Sequence, residues 1–258
     1  MTDAGDETDA RLARRIADTA GELLIALQRS DLFDGKALGK VGDRVANAFI
    51  MEALAKNRPG DAVLSEEEAA DLVRLARRRV WIVDPLDGTR EYGERRTDWA
   101  VHIALAVDGV ATVGAVALPG VPATLCTERP IAIPPLGSGP PRMVVSRTRP
   151  AAEAVAVAEK LGAELVPMGS AGAKSMAVVG DEADIYLHSG GQYEWDSCAP
   201  VAVARAAGFH VSRIDGSPLI YNRENPYLPD LLICRKEHAE EVLRLIRELA
   251  AQTPAPAA

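Results

Sequence analysis

The sequence predicts an α/β protein with mixed sheets, and three observations carry that prediction. Short apolar runs alternate with amphipathic segments along most of the chain, the pattern of strand–helix layering. The dipeptide Asp108-Gly109 stands between the apolar runs 102–107 and 110–118, which calls for a type I′ hairpin and so for antiparallel strands as well. The chain has 258 residues, 48% hydrophobic and 26% charged, enough to bury a large core without disulfides or a structural metal.

Leu12, Ile16, Ala20, Leu23 and Leu27 recur at spacings of three and four and predict a first amphipathic helix. Val45, Phe49 and Leu54 predict a second, starting near Asp43 and stopping at Asn57-Arg58-Pro59-Gly60. Ala62-Val63-Leu64 reads as a short strand, and residues 66–79 as a polar stretch that turns helical in its second half. Val80-Trp81-Ile82-Val83 is a buried strand that runs into Asp84-Pro85. Seven prolines between 119 and 141 predict a loop or connection. Beyond it come a strand at 143–146, a helix at 151–161, a strand at 165–168, a helix at 173–179 and a strand at 184–187. A helix at 196–207 stopped by Gly208, a strand at 231–234 and a final helix at 237–250 complete the series. The expected division is an N-terminal α+β half, 1–141, a C-terminal α/β half, 142–250, and a disordered tail, 251–258.

Charge and cysteine content exclude several classes. With 29 basic and 37 acidic residues the net charge is −8, a field that repels nucleic acid and anionic lipid. Cys126, Cys198 and Cys234 are odd in number and form no C-x-x-C, which speaks against a disulfide scaffold or zinc finger. The start, Met1-Thr2-Asp3-Ala4-Gly5-Asp6-Glu7, lacks the apolar core of a signal peptide, and there is no run of about 20 apolar residues. A cytoplasmic protein with a small-molecule substrate, without a nucleic-acid or membrane partner, is expected.

Three acidic segments could carry chemistry. In Trp81-Ile82-Val83-Asp84-Pro85-Leu86-Asp87-Gly88-Thr89 a hydrophobic strand ends in two carboxylates, and Gly88 and Thr89 could open a helix whose free N–H groups suit phosphate. Taken alone, the same residues also suit a plain turn. Leu64-Ser65-Glu66-Glu67-Glu68 reads by itself as a solvated face, and Asp196 in Tyr193-Glu194-Trp195-Asp196 as a helix cap. If Glu66, Asp84, Asp87 and Asp196 converge, each like-charge pair costs roughly 3 kcal/mol at about 6 Å and an effective dielectric near 20. Divalent cations relieve that cost, and an all-oxygen donor set suits Mg²⁺ rather than zinc.

Rival phosphate chemistries fail on spacing. C-x₅-R is absent, because the sixth residue after the three cysteines is Ala132, Ala204 and Glu240. No D-x-D and no G-x-S-x-G occurs, and Gly169-Ser170-Ala171-Gly172-Ala173-Lys174-Ser175 does not match a P-loop. His102 and His210 lie in apolar strands and read as structural.

These residues resemble the lithium-sensitive, Mg²⁺-dependent phosphatases of the inositol monophosphatase superfamily. The resemblance runs in order through Asp43, Ser65-Glu66-Glu67, Asp84-Pro85-Leu86-Asp87-Gly88-Thr89, and Trp195-Asp196 with Ala199 and Gly208. Within the superfamily the chain is most similar to the CysQ branch, which acts on 3′-phosphoadenosine 5′-phosphate. The matching residues are Leu64-Ser65-Glu66-Glu67, Thr89-Arg90-Glu91-Tyr92, Val145-Ser146-Arg147 and Gly169-Ser170 with Lys174.

The resemblance implies an α-β-α-β-α sandwich and release of the 3′-phosphate, with the 5′-phosphosulfate as a further substrate and sulfate assimilation as the setting. It implies Mg²⁺ at Glu66, Asp84 and the Leu86 carbonyl, a second Mg²⁺ at Asp84, Asp87 and Asp196, and a third, looser one near Glu66 and Glu67. Gly88 and Thr89 amides would receive the phosphate, and Thr89 with Asp43 would orient and deprotonate the attacking water. Ser146, Arg147, Ser170 and Lys174 would meet the nucleotide's other phosphate. A homodimer is expected by the same analogy. Inositol 1-phosphate or fructose 1,6-bisphosphate is the alternative substrate. Against inositol stands Ser189, seven residues before Asp196, where inositol phosphatases carry a carboxylate.

Overall fold

The computed structural model describes residues 7–252. Two five-stranded sheets alternate with three layers of helices. The first sheet has the order β1-β2-β3-β4-β5, from β1 (Ala62–Ser65), β2 (Arg79–Asp87), β3 (Ala100–Val107), β4 (Val110–Leu118) and β5 (Ala123–Cys126). Its β1–β2 pair is parallel and the rest antiparallel. The second has the order β7-β6-β8-β10-β9, from β6 (Arg142–Ser146), β7 (Glu164–Met168), β8 (Ile185–Tyr193), β9 (His210–Ser212) and β10 (Tyr227–Cys234). Here β6 runs parallel to β7 and β8, while β10 is antiparallel to β8 and β9. The mixed sheets expected from the sequence are present, and the Asp108-Gly109 turn has positive φ at both residues, 50° and 78°, as a type I′ turn requires.

Alternation along the strands assigns the layers. On β2, Trp81 and Val83 face a cluster with Leu12, Ile16 and Leu24 of α1 (Asp9–Arg29) and Ile50 and Leu54 of α2 (Gly35–Asn57). The intervening Val80 and Ile82 join the central core with α5 (Ala171–Val179), α6 (Glu194–Ala207) and the inner face of the second sheet, where Val144, Tyr186, Leu231 and Ile233 lie. Met143, Val145, Ile185 and Leu232 face outward to α4 (Ala152–Leu161) and α7 (Lys236–Gln252). The order α1/α2, sheet, α5/α6, sheet, α4/α7 is the five-layer sandwich that the resemblance implies. Period-2 burial on both faces of each sheet is what forces it.

Several boundaries differ from expectation. The second helix begins at Gly35, not near Asp43, so Asp43 is a helix-interior residue. Gly39 and Gly42 lower helix propensity, and both are contact points of this helix. A Cβ at Gly39 would stand 2.7 Å from Thr89 Cγ2, and one at Gly42 would stand 2.8 Å from Tyr92. The helix expected late in 66–79 is a short 3₁₀ turn, Leu72–Ala76, pinned by the buried Arg74, whose guanidinium donates to Asn222 and to the carbonyl of Arg223. Strand β5 lies inside the proline-rich stretch, and β9 had no distinct signal. Ala251 and Gln252 close α7 instead of starting a tail. Residues 253–258 of the expected tail, and 1–6 of the acidic start, lie outside the described residues. All three cysteines are buried and unpaired, and among the described residues no helix is long and apolar enough to cross a membrane.

Candidate active site

Asp84 and Asp87 reach one side of β2 through a bulge. Residues three apart on a regular strand point to opposite faces. Here Asp84 pairs with His102 and Asp87 with Ala100, so three steps on β2 match two on β3. The extra residue turns Asp87 back to the side of Asp84. Pro85 lies in the bulge, where a missing N–H costs no ladder bond. Asp196 arrives from the first turn of α6, where its carboxylate accepts the Tyr193 amide at 2.6 Å. Oxygens of Asp84, Asp87 and Asp196 all lie within 4.8 Å of one another.

Glu66 completes the cluster from the end of β1. Its carboxyl is near enough to that of Asp84 for each to shift the other's ionisation. The turn that carries it is fixed by Asn47 of α2, which accepts from the Ser65 hydroxyl at 2.8 Å and donates to Glu68 at 2.7 Å. Asn47 has no motif signal; one helical turn after Asp43, it ties α2 to the acidic turn. Glu67 is exposed at the rim, and its charge raises the pKa of Asp43.

The cluster carries the electrostatic signature of a cation site. Burial, then the charges of Glu66, Asp87 and Asp196, push Asp84 well above the usual carboxylate range. Glu66 is exposed as a residue, but desolvation at its carboxyl and the charge of Asp196 raise it to about 7, and burial and Asp87 raise Asp196 to about 6. Asp87 is the exception. Burial alone would raise it, but His102, the Gly172 amide and the Ser170 hydroxyl hold it at about 2. It accepts Ser170 Oγ at 2.7 Å, and the Ala171 and Gly172 amides at 3.1 and 2.5 Å, at the N-terminus of α5. One ionised carboxylate beside three that ionise reluctantly is a set that a hard divalent cation would complete.

Next to it lies the motif's own helix. Gly88 takes the left-handed conformation (φ 89°) as N-cap of α3 (Thr89–Gly93), whose first amides have no partner within the helix. The Thr89 hydroxyl lies 3.2 Å from the Leu86 carbonyl and 3.4 Å from Asp43. Asp43 is raised to about 7 by partial burial and then by Glu67, while the Thr89 contact pulls it down.

The residues expected at a second phosphate have protein partners. Arg147 pairs with Glu91 at 2.8 Å and Glu94 at 2.7 Å. Ser146 Oγ accepts the Arg149 amide at 3.2 Å. Lys174 is 6% exposed, donates to the carbonyl oxygens of Gly169 (3.0 Å) and Ser170, and lies over the Tyr186 ring. Ser170, at φ 36°, caps α5 as well as binding Asp87, and its Cβ lies 3.0 Å from where a Gly88 Cβ would be. A phosphate at Arg147 or Lys174 would have to displace these partners.

His102 is buried in β3 as a structural histidine would be, yet it belongs to the site. Its Nδ1 donates to the Trp195 carbonyl at 3.0 Å and its Nε2 pairs with Asp87 at 3.3 Å. Only acceptors face it; burial opposes its charge, but the contact with Asp87 prevails and its pKa is raised. Sequence gives no sign of it, because its partners come from β2 and α6. Ser189 differs in a second way from expectation: its hydroxyl donates to Glu153 of α4 at 2.5 Å, so a carboxylate does stand beside that loop.

The Inositol monophosphatase family model matches residues 9–130 and 142–251. A 3′-phosphoadenosine 5′-phosphate phosphatase of Mycobacterium leprae is 50% identical over 256 residues, which is 94% of each chain. The 3′(2′),5′-bisphosphate nucleotidase CysQ of Escherichia coli K12 is 32% identical over 197 residues, 72% of this chain and 80% of that one. Among solved structures, CysQ from Bacteroides thetaiotaomicron superposes with a TM-score of 0.76 at 27% identity, covering 91% of this chain and 99% of that one.

Proposed function

The chain belongs to the inositol monophosphatase family, and from that premise we propose that it is a Mg²⁺-dependent phosphomonoesterase that removes the 3′-phosphate of 3′-phosphoadenosine 5′-phosphate. The observation that carries this reading is the meeting of Asp84, Asp87 and Asp196 within 4.8 Å, beside the Thr89–Asp43 pair. The relative that is 50% identical bears the name of that activity, which supports the choice of substrate.

Glu66, Asp84, Asp87, Asp196 and the Leu86 carbonyl are the groups that would hold two Mg²⁺, with a third near Glu66 and Glu67. When bound, the cations neutralise the carboxylates, act as Lewis acids toward phosphate oxygens and acidify water. The amides of Gly88 and Thr89 receive phosphate oxygens at the start of α3. Thr89 Oγ1 orients the attacking water and accepts its proton while passing its own to Asp43. A carboxylate with pKa of about 7 is well matched to accept that proton near neutrality. Ser146, Arg147, Ser170 and Lys174 bind the 5′ side, Arg147 by exchanging Glu91 and Glu94 for phosphate. Removal of the 3′-phosphate from 3′-phosphoadenosine 5′-phosphate would clear a by-product of sulfate assimilation, and the 5′-phosphosulfate is a further substrate of the same reading.

Inositol 1-phosphate is the second reading, favoured by the carboxylate that Glu153 brings to Ser189. Turnover by purified protein with Mg²⁺ on the nucleotide, inositol 1-phosphate and fructose 1,6-bisphosphate separates the two. The proposal expects at least a tenfold preference in kcat/KM for the nucleotide, and a reversed preference overturns it. Glu153→Gln should lower inositol phosphate turnover selectively if the second reading holds.

A further inference from the structure

The wall of the site next to Asp196 is aromatic. The Tyr193 ring lies flat on Trp195, with centroids 4.8 Å apart and planes 8° from parallel. Tyr227, its cross-strand neighbour on β10, meets Tyr193 edge-on at 6.1 Å and 83°. Such a triad would be ordinary inside a core, but Tyr193 is 46% and Tyr227 45% exposed. The backbone N–H of Tyr193 itself donates to Asp196, so the exposed ring starts one residue's reach from a carboxylate of the cation cluster.

The chain around the rings is shaped to leave them room. Between Ser189 and Gln192, β8 takes three steps against two on β10, a bulge formed by Gly190 and Gly191 at φ 97° and 92°. A Cβ at Gly191 would lie 2.4 Å from the Tyr227 hydroxyl oxygen, so only glycine lets that ring sit where it does. Nothing lies within 4 Å of a Cβ at Gly190, so the bulge next to Gly191 faces open space. A flat, partly exposed aromatic stack next to a phosphate-handling centre matches a planar heteroaromatic base. An inositol or sugar ring offers no π face to it.

We propose that Tyr193, backed by Trp195 and flanked by Tyr227, is the platform on which the adenine of the nucleotide stacks, and that this stack selects nucleotides over polyol phosphates. This rests on the nucleotidase reading above and names residues that set its specificity. The test compares 3′-phosphoadenosine 5′-phosphate with methyl ribofuranoside 3,5-bisphosphate, which keeps both phosphates and the ribose but has no base. The kcat/KM ratio of the two in the wild type should be about 5 to 150, the fold-change equivalent of one base–aromatic stack of about 1–3 kcal/mol. In Tyr193→Ala the ratio should fall to within about threefold of one, and Tyr193→Phe should restore it. A ratio that persists in Tyr193→Ala overturns the platform.

Binding provides an arm independent of turnover. Trp81 and Trp99 are fully buried and shielded from contact with a ligand, so a ligand-induced change in tryptophan fluorescence, measured with Ca²⁺ present, reports chiefly on Trp195. Saturable quenching by the nucleotide, absent with the base-free analogue and kept in Tyr193→Phe, upholds the platform. If the wild type quenches in this way yet turns over no nucleotide, the nucleotidase reading fails and the platform stands. If no base-dependent quenching occurs in the wild type, the platform fails whatever the turnover.

Discussion

His102 Nε2 lies 3.3 Å from the Asp87 carboxylate in the fully buried centre of β3, and its Nδ1 holds the carbonyl of Trp195, the residue before Asp196. One imidazole thus touches the carboxylate of Asp87 and the backbone just before Asp196, two cluster residues from opposite halves of the sequence. Groups behind metal ligands typically set metal affinity by 10–100-fold. His102→Gln is therefore expected to raise the half-saturating Mg²⁺ concentration of phosphatase activity by about that factor, with a smaller change in KM for substrate. Titration of activity with Mg²⁺ checks this. An unchanged half-saturation would reduce His102 to a packing residue.

Thr89 and Asp43 are assigned to the proton and not to the cation. Asp43→Asn and Thr89→Ala should each lower kcat by about 10²- to 10⁴-fold, the range of a lost general base. Cation binding, measured by Mg²⁺-dependent thermal stabilisation, should stay close to that of the wild type. A loss of metal stabilisation equal to that of Asp87→Asn would place Asp43 among the ligands instead.

The crowded acids also predict a pH dependence of stability. Asp43, Glu66 and Asp196 have folded-state pKa values of about 7, 7 and 6, above their ordinary values, so the folded chain binds more protons than the unfolded one across this window. Stability then falls as pH rises from about 4 to about 7. Asp87 runs the other way, but its window lies below pH 4. With EDTA present, Tm should drop by about 5 °C or more between pH 5 and pH 7.5, since 1 kcal/mol corresponds to about 2–4 °C at this size. Excess Mg²⁺ at pH 7.5 should restore it. A flat Tm profile in EDTA contradicts a repelling cluster.

How much of this was legible in the sequence follows from how local each signal is. Strands, most helices and the Asp108-Gly109 hairpin have periodic or turn signatures within a few residues. Composition alone leaves Asp84 and Asp87 as a turn, Glu66 as a solvated face and Asp196 as a helix cap; the order of the motifs, through the resemblance, puts them together, and the structure brings Asp84, Asp87 and Asp196 within 4.8 Å of one another. The bulge that aims Asp87, the roles of His102 and Asn47, and the Glu91–Glu94 clamp on Arg147 depend on partners 18 to 93 residues away. No window along the chain contains both members of such a pair. Gly39 is of the same kind: it lowers helix propensity locally, while its close approach to Thr89 lies across the structure.

That last contact can be tested for itself. A methyl at Gly39 would stand 2.7 Å from Thr89 Cγ2 and 3.1 Å from the Thr89 carbonyl oxygen, so Thr89 or α2 must give way. In the helix interior alanine is favoured over glycine by about 1 kcal/mol, which offsets part of the clash. Gly39→Ala should therefore change Tm by only a few degrees while pushing Thr89 off its line to Asp43. A misplacement on the order of 1 Å can cost about 10²-fold in rate. The expected result is a fall in kcat of tenfold or more, with the Mg²⁺ half-saturation within about twofold of wild type. Full activity in Gly39→Ala would show that α2 can shift without disturbing the reaction, and the close approach of helix to hydroxyl would then have no catalytic meaning.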